Sequence, residues 1–135
     1  MGGVDEKVSV EITSEGNVAI VTFKATNVCD VDAIATIAGQ IREFISKSRP
    51  ICLIFDFGVV KFFSSQVLGL LLDIRSKLHA HGGRMVISGI NPQLHRVFKI
   101  TNLDKIFTFF PDRQSALTSV SQAQSNGSSR TEPQT

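Results

Sequence analysis

The chain has 135 residues, and among them there is no tryptophan and no tyrosine: every one of its ten aromatic side chains is phenylalanine. None of its aromatics therefore carries a hydrogen-bonding tip. Phenylalanine can stack on single-stranded nucleic acid, but such platforms need a basic groove, and 14 Lys+Arg against 12 Asp+Glu leave a net charge of only +2. Nothing in that balance suits a phosphate backbone, so no nucleic-acid role is expected. Cysteine is almost as scarce. Cys29 and Cys52 are too few for a secreted disulfide framework and lack the paired spacing of a zinc site. Cys52 lies in an apolar run, where a cysteine acts as a small hydrophobe. Long apolar runs are missing too, all falling far short of the roughly 20 residues of a membrane span. Met1 to Glu6 shows no apolar signal region, and Glu6 stands where a myristoylation motif wants Ser or Thr. The expectation is a reduced cytoplasmic protein with no membrane attachment.

What the chain does contain is enough for one core: 42% hydrophobic residues and 19% charged, in a length that buries roughly two thirds of its unfolded surface without disulfides or metal. Composition shifts at Ser121, after which SQAQSNGSSRTEPQT holds no apolar side chain larger than alanine. That stretch, 121–135, reads as a disordered polar tail, and 8–120 as the folded domain.

Within the domain Val8, Val10 and Ile12 alternate with polar residues, Glu15-Gly16-Asn17 makes a turn, and Val18 to Phe23 resumes an apolar run, the pattern of a β-hairpin. Asp32 to Ser48 places Ile34, Ile37, Ile41, Phe44 and Ile45 at helical spacing, with Asp30 or Asp32 as cap and Pro50 as terminator. Ile51 to Phe55 is a strand buried on both faces. A helix follows from Ser64 or Ser65 to about Ala80, then a strand at Met85-Val86-Ile87 and a short helix opened by Asn91-Pro92. A strand over Ile106 to Phe110 and a helix capped by Asp112 and ending at Leu117 or Val120 complete the series. Strands alternating with helices predict an α/β fold: a mixed, mostly parallel sheet of about five strands, an N-terminal hairpin and about four helices.

Chemistry concentrates where Asp56-Phe57-Gly58-Val59-Val60-Lys61-Phe62-Phe63-Ser64-Ser65 leads a buried strand into a helix N-terminus. The free backbone N–H groups and the dipole of that end favour an anion, so a phosphoryl group on Ser64 or Ser65 is electrostatically acceptable there. On a helical wheel Val67, Leu70, Leu71, Ile74 and Leu78 form the core stripe. Ser65 lies off it, heading a surface that includes Leu68, Gly69, Leu72 and Ser76, where a partner could pack. A phosphate there, carrying a charge of about −1.5 to −2, would oppose an apolar docked interface. Spacing alone favours the plainer reading: Ser64 an N-cap worth about 1 kcal/mol, Ser65 an ordinary first-turn residue, and Leu68 and Leu72 packed under a neighbouring loop.

Other chemistries find little support. Ser64-Ser65 lacks a Gly-x-Ser-x-Gly elbow, His79 and His81 cannot share a helical face for a metal, and His95 stands apart. Gly82-Gly83 lacks the lysine of a phosphate loop and reads as a helix stop. Cys29 has no neighbouring cation in sequence to activate it. Phe62-Phe63 and Phe109-Phe110, flanking strand ends, read as core. No catalytic residue, cofactor or metal is expected.

The strand–turn–helix segment, with Asp56 nine residues before Ser65, resembles the signature of STAS domains, and especially of bacterial anti-sigma-factor antagonists. His81-Gly82-Gly83-Arg84-Met85-Val86-Ile87 and Val97-Phe98-Lys99-Ile100-Thr101-Asn102-Leu103-Asp104-Lys105-Ile106-Phe107 are similar to that family's Gly-Gly turn, short helix and Thr-x-Leu turn. Two positions depart from it: Ser64 stands where the family usually has Asp, and Val67 replaces a Gly, as in a branch with Ser-Ser in place of Asp-Ser. The resemblance implies the STAS fold and a signal-transducing partner switch in transcription regulation. The unphosphorylated protein would bind a serine-kinase anti-sigma factor, phosphorylation on Ser65 (or else Ser64) would break the complex, and a PP2C-type phosphatase would restore it. Asp30, Ser64, Ser65, Leu68, Gly69 and Leu72 would form the partner surface. The alternative on the same fold is a scaffolding or sensory module that is not phosphorylated, with Ser64-Ser65 serving only as a helix cap.

Overall fold

The computed structural model describes residues 9–125. β1 (Val10–Glu15) and β2 (Val18–Phe23) form the antiparallel hairpin, closed over Gly16 in the left-handed region at φ 65°. A two-residue strand β3 (Asn27–Val28) precedes α1 (Val31–Ser48), and β4 (Cys52–Asp56) leads through β5 (Phe62–Phe63) into α2 (Ser65–His79). Then come β6 (Arg84–Ser88), α3 (Pro92–Ile100), a 3-10 turn (Leu103–Lys105), β7 (Thr108–Phe110) and α4 (Arg113–Ser125). The main sheet has the order β1-β2-β4-β6-β7, parallel throughout except for the hairpin. This is the mixed, mostly parallel five-stranded sheet with an N-terminal hairpin and four helices that the sequence pattern predicts.

Side chains alternate across each strand, and the two faces are covered unequally. Leu53 and Phe55 point into a large core with α1, α2 and α3; Cys52 and Ile54 point to the other face, which α4 covers through Ala116 and Val120. A row of phenylalanines crosses the larger core. Phe23 and Phe57 have ring centroids 4.9 Å apart, Phe57 and Phe63 5.8 Å, and Phe63 and Phe98 6.0 Å. Each buried ring contributes about 1.5–3 kcal/mol, and a dry row of this kind has no use for a phenol or indole N–H.

Three elements differ from the sequence reading. The last strand is Thr108–Phe110 rather than Ile106–Phe110, because the N–H groups of Ile106 and Phe107 both donate to Leu103 O, at 3.0 and 3.1 Å, and close the 3-10 turn. The small parallel sheet of β3 and β5 was not anticipated, since two-residue strands carry no periodicity. The final helix runs past Leu117 and Val120 to Ser125, so the 121–125 part of the expected disordered tail is helical; Gln and Ala there are good helix formers. The rest of the tail, 126–135, and the domain's first residue lie outside the described residues.

Candidate functional site

The segment between β4 and α2 is held by backbone bonds to three neighbours. Asp56 Oδ1 accepts from the N–H of Gly58 at 2.8 Å, folding the chain back at the strand end. Phe57 N–H donates to Ser88 O of β6 at 2.9 Å, and the Asn91 side-chain amide at the start of α3 donates to Val60 O at 3.3 Å. Lys61 and Phe62 N–H both donate to Thr26 O, at 2.7 and 3.1 Å, and Ser64 N–H donates to Val28 O at 3.1 Å. Gly89, at φ 71°, makes the closest of these joints possible: a Cβ there would stand 3.1 Å from the backbone of Gly58.

Asp56 itself is committed to structure. Its Oδ2 accepts from Arg113 Nε at 3.0 Å and Nη2 at 2.8 Å, and the same Nη2 also donates to Thr22 Oγ1. Sequence reasoning missed Arg113 and Thr22, which lie 57 and 34 positions from Asp56 and carry no local pattern.

This framework delivers the serine pair to the entry of α2. Ser64 occupies the N-cap position with extended backbone, φ −89° and ψ 168°, yet its side chain makes no cap hydrogen bond. Its Oγ is buried and has no partner, while Ser64 O accepts from Val67 N–H at 3.0 Å. Ser65, the first helical residue, is exposed.

Along α2 the ridge beneath Ser65 consists of exposed Gly69, Leu72 (38% exposed) and Ser76, with Leu68 half-buried beside it. On one flank a groove of about 300 Å³ separates α2 from α1, lined among others by Val31, Ile34, Ala38, Gln66, Gly69 and Leu70. An exposed ion pair, Arg42 to Asp73 at 2.9 Å, stands at its border. Leu68 and Leu72 do not line the groove. The bond from Ser64 N–H to Val28 O brings the loop carrying Asp30 beside this end of α2. Asp30, however, is the cap of α1: its Oδ1 accepts from the N–H groups of Asp32 and Ala33 at 3.0 and 3.2 Å.

The two phenylalanines before the serines divide. Phe63 is core, but Phe62 is 56% exposed, contrary to the expectation that both are buried; Val59 at 50% and Val31 at 56% are exposed as well. The reason is the alternation of β5, which can send only one of two adjacent side chains inward. These three exposed apolar side chains escape a reading that equates apolar residues with core.

The histidines and Cys52 lie elsewhere, while Cys29 sits between Val28 and Asp30 in the loop beside α2. His81 Nε2 is 2.9 Å from Pro50 O, and His95 packs its ring 4.6 Å from that of Phe109. Burial pushes the Cys52 thiol up to about 11, the Arg84 charge partly offsetting it, whereas Cys29 is half-buried. Among the described residues no three His, Cys, Asp or Glu side chains are grouped to hold a metal ion, and no helix is long and apolar enough to cross a membrane.

Comparison with known proteins gives this arrangement a context. An anti-sigma F factor antagonist of Paenibacillus polymyxa is 22% identical over 110 residues, which span 82% of this chain and 94% of that protein. Among solved structures, an anti-sigma factor antagonist from Mycobacterium paratuberculosis superposes with a TM-score of 0.74 at 24% identity, covering 89% of this chain and 98% of that one. The anti-sigma factor antagonist SpoIIAA in its unphosphorylated form gives 0.74 at 19% identity over 84% and 97%. The Bacillus cell fate determinant SpoIIAA in the phosphorylated form gives 0.66 at 20% over 83% and 99%. At such identities the structural likeness establishes the fold. The family model of the STAS domain matches residues 9–116, and the chain belongs to that family.

Proposed function

We propose that this protein is an anti-sigma-factor antagonist: it binds a serine-kinase anti-sigma factor through the N-terminal end of α2, and phosphorylation of Ser65 releases it. The observation that carries this reading is an exposed seryl hydroxyl on the first residue of a helix whose N-cap side chain makes no cap bond, at the head of a partly apolar ridge and groove. The likeness to antagonists of the same fold supports it. The chain's part is to present a surface. Gly69, Leu72, the groove and exposed Phe62 supply apolar area; Ser65 supplies the hydroxyl; Asp30 orders the neighbouring helix start and leaves its second oxygen available to a cationic partner group. A phosphate on Ser65 adds about two negative charges in the middle of that surface and acts through desolvation and repulsion. The bound kinase would deliver it and a PP2C-type phosphatase would remove it.

Ser65 is favoured over Ser64 as acceptor because Ser64 Oγ is buried and out of reach. The reading in which the pair is only a helix cap loses its main support, since the cap bond is not made. The test is intact-mass analysis after incubation with the cognate kinase and ATP, together with titration of the kinase with Ser65→Asp. One phosphate on Ser65 and a loss of affinity of about 100-fold, or roughly 2.7 kcal/mol, are expected. No added mass, with Ser65→Asp binding as the wild type does, would overturn the proposal.

A further inference from the structure

A second exposed apolar segment lies at the end of α3. Val97, Ile100, Leu103 and Ile106 recur every third residue through the end of α3 and the 3-10 turn. Val97 and Leu103 are partly buried against the core, but Ile100 is 73% exposed, the most exposed large apolar side chain among the described residues, and Ile106 is 41% exposed. The turn follows the helix directly: Asn102 N–H donates to Lys99 O, Lys105 N–H to Asn102 O, and Ile106 N–H to Leu103 O, with Asn102 in the left-handed region at φ 63° between the two elements. Around it stand exposed Arg96, Lys99 and Lys105, none engaged in the ion pairs found among the described residues, against one half-buried acid, Asp104.

This surface belongs to a different element from the serine pair: Ser65 begins α2, whereas Ile100 ends α3. The two elements meet through the core, where Phe98 of α3 packs on Phe63 with ring centroids 6.0 Å apart.

We infer that the α3 terminus and its 3-10 turn form a docking surface for an acidic protein segment carrying apolar side chains. The argument is charge complementarity: three unpaired cations frame two exposed isoleucines, a pattern that attracts carboxylates around an apolar anchor. A second copy of this chain fits poorly, because a two-fold contact through this patch sets the same cations against one another. A lipid surface fits poorly as well, because two isoleucine side chains bury fewer carbons than one myristoyl chain, itself only a marginal anchor.

The test is an amide-resolved NMR titration of the full chain with a synthetic amphipathic peptide of glutamate and leucine. Its twin with lysine for glutamate, and vesicles of equal parts phosphatidylcholine and phosphatidylserine, serve as parallel probes. Shifts confined to Arg96–Phe107 are expected with the acidic peptide alone. They should weaken about tenfold or more in about 1 M salt, where the Debye length is about 3 Å. Ile100→Asp, at a site too exposed to disturb the core, should abolish them, and Lys99→Glu with Lys105→Glu should transfer binding to the basic peptide. Ser65→Asp should leave them unchanged, which separates this surface from the α2 reading. Equal shifts with both peptides, shifts elsewhere, binding to vesicles only, or concentration-dependent self-association through these residues would each overturn the inference.

Discussion

Among the described residues four α-helices begin, and three of them are capped by a side chain while the fourth is not. Asp30 accepts from two N–H groups of α1, Asn91 accepts from Leu94 N–H at 2.9 Å to start α3, and Asp112 accepts from Ser115 N–H at 2.8 Å to start α4. At α2 the corresponding residue is Ser64, and its hydroxyl is buried without a partner. A serine is as good a cap as asparagine or aspartate in principle, so the difference lies in position rather than residue type. The chain enters α2 through backbone bonds to Val28 and from Val67, which fix Ser64 without using its side chain. First-turn N–H groups thus remain open beside an exposed Ser65, where a covalently delivered phosphate would find them.

The sharpest way to break this contrast is to delete the two kinds of cap side by side. Asn91→Ala removes both the bond from Leu94 N–H and the tie to Val60 O. It should lower stability by about 2 kcal/mol, summing a cap and a second hydrogen bond. Ser64→Ala removes a buried hydroxyl that bonds nothing and should leave stability unchanged or raise it by up to about 1 kcal/mol. Urea unfolding midpoints decide it: equal losses would mean that Ser64 caps α2 in solution.

A smaller effect of opposite sign is expected one turn further along α2. A Cβ added at Gly69 would meet no atom within 4 Å, so the fold does not require glycine in this helix interior. Gly69→Ala should raise stability by about 0.5–1 kcal/mol while weakening binding of the proposed anti-sigma-factor partner, whose close approach would then be the reason for the glycine. A gain in stability with unchanged binding would remove Gly69 from the partner surface.

The same contrast marks how far the residues alone could be read. The hairpin, the buried strands at Cys52 and Met85, and the helices headed by Asp30, Asn91 and Asp112 were legible because each carries a periodicity or a cap that acts over a few neighbouring positions. Ser65 was legible as an off-stripe residue at a helix start. What escaped is set by tertiary approach. Phe62 faces out because β5 pairs with β3; Asp56 is bound by Arg113 of α4; Ser64 is cut off from its helix by its own burial. None of these has a signal in spacing, since each depends on which distant backbone arrives alongside.

The smallest expected effect concerns the carboxylate cap of α4. The N–H of Ser115, and secondarily that residue's side chain, hold the Asp112 carboxyl below its usual 3.8. The unfolded chain therefore takes up a proton at Asp112 at a higher pH than the folded chain does. The cap's stabilising contribution is fully present above about pH 4 and is lost as pH falls through the depressed folded value. Asp112→Asn keeps an acceptor at the same position but removes the charge, so its cap should be indifferent to acid. Melting temperatures of the two proteins, compared from neutral pH downward, should differ by a gap that favours the wild type at neutral pH and narrows below about pH 4. A gap independent of pH would show that the carboxylate adds nothing beyond the neutral amide. The cap and first turn of α2 hold no carboxylate of their own, so a step in the amide shifts of Ser65 and Gln66 that Asp30→Asn does not remove should appear only when a phosphate is placed on Ser65. In that case the step should lie near pH 6, where the second phosphate proton is lost.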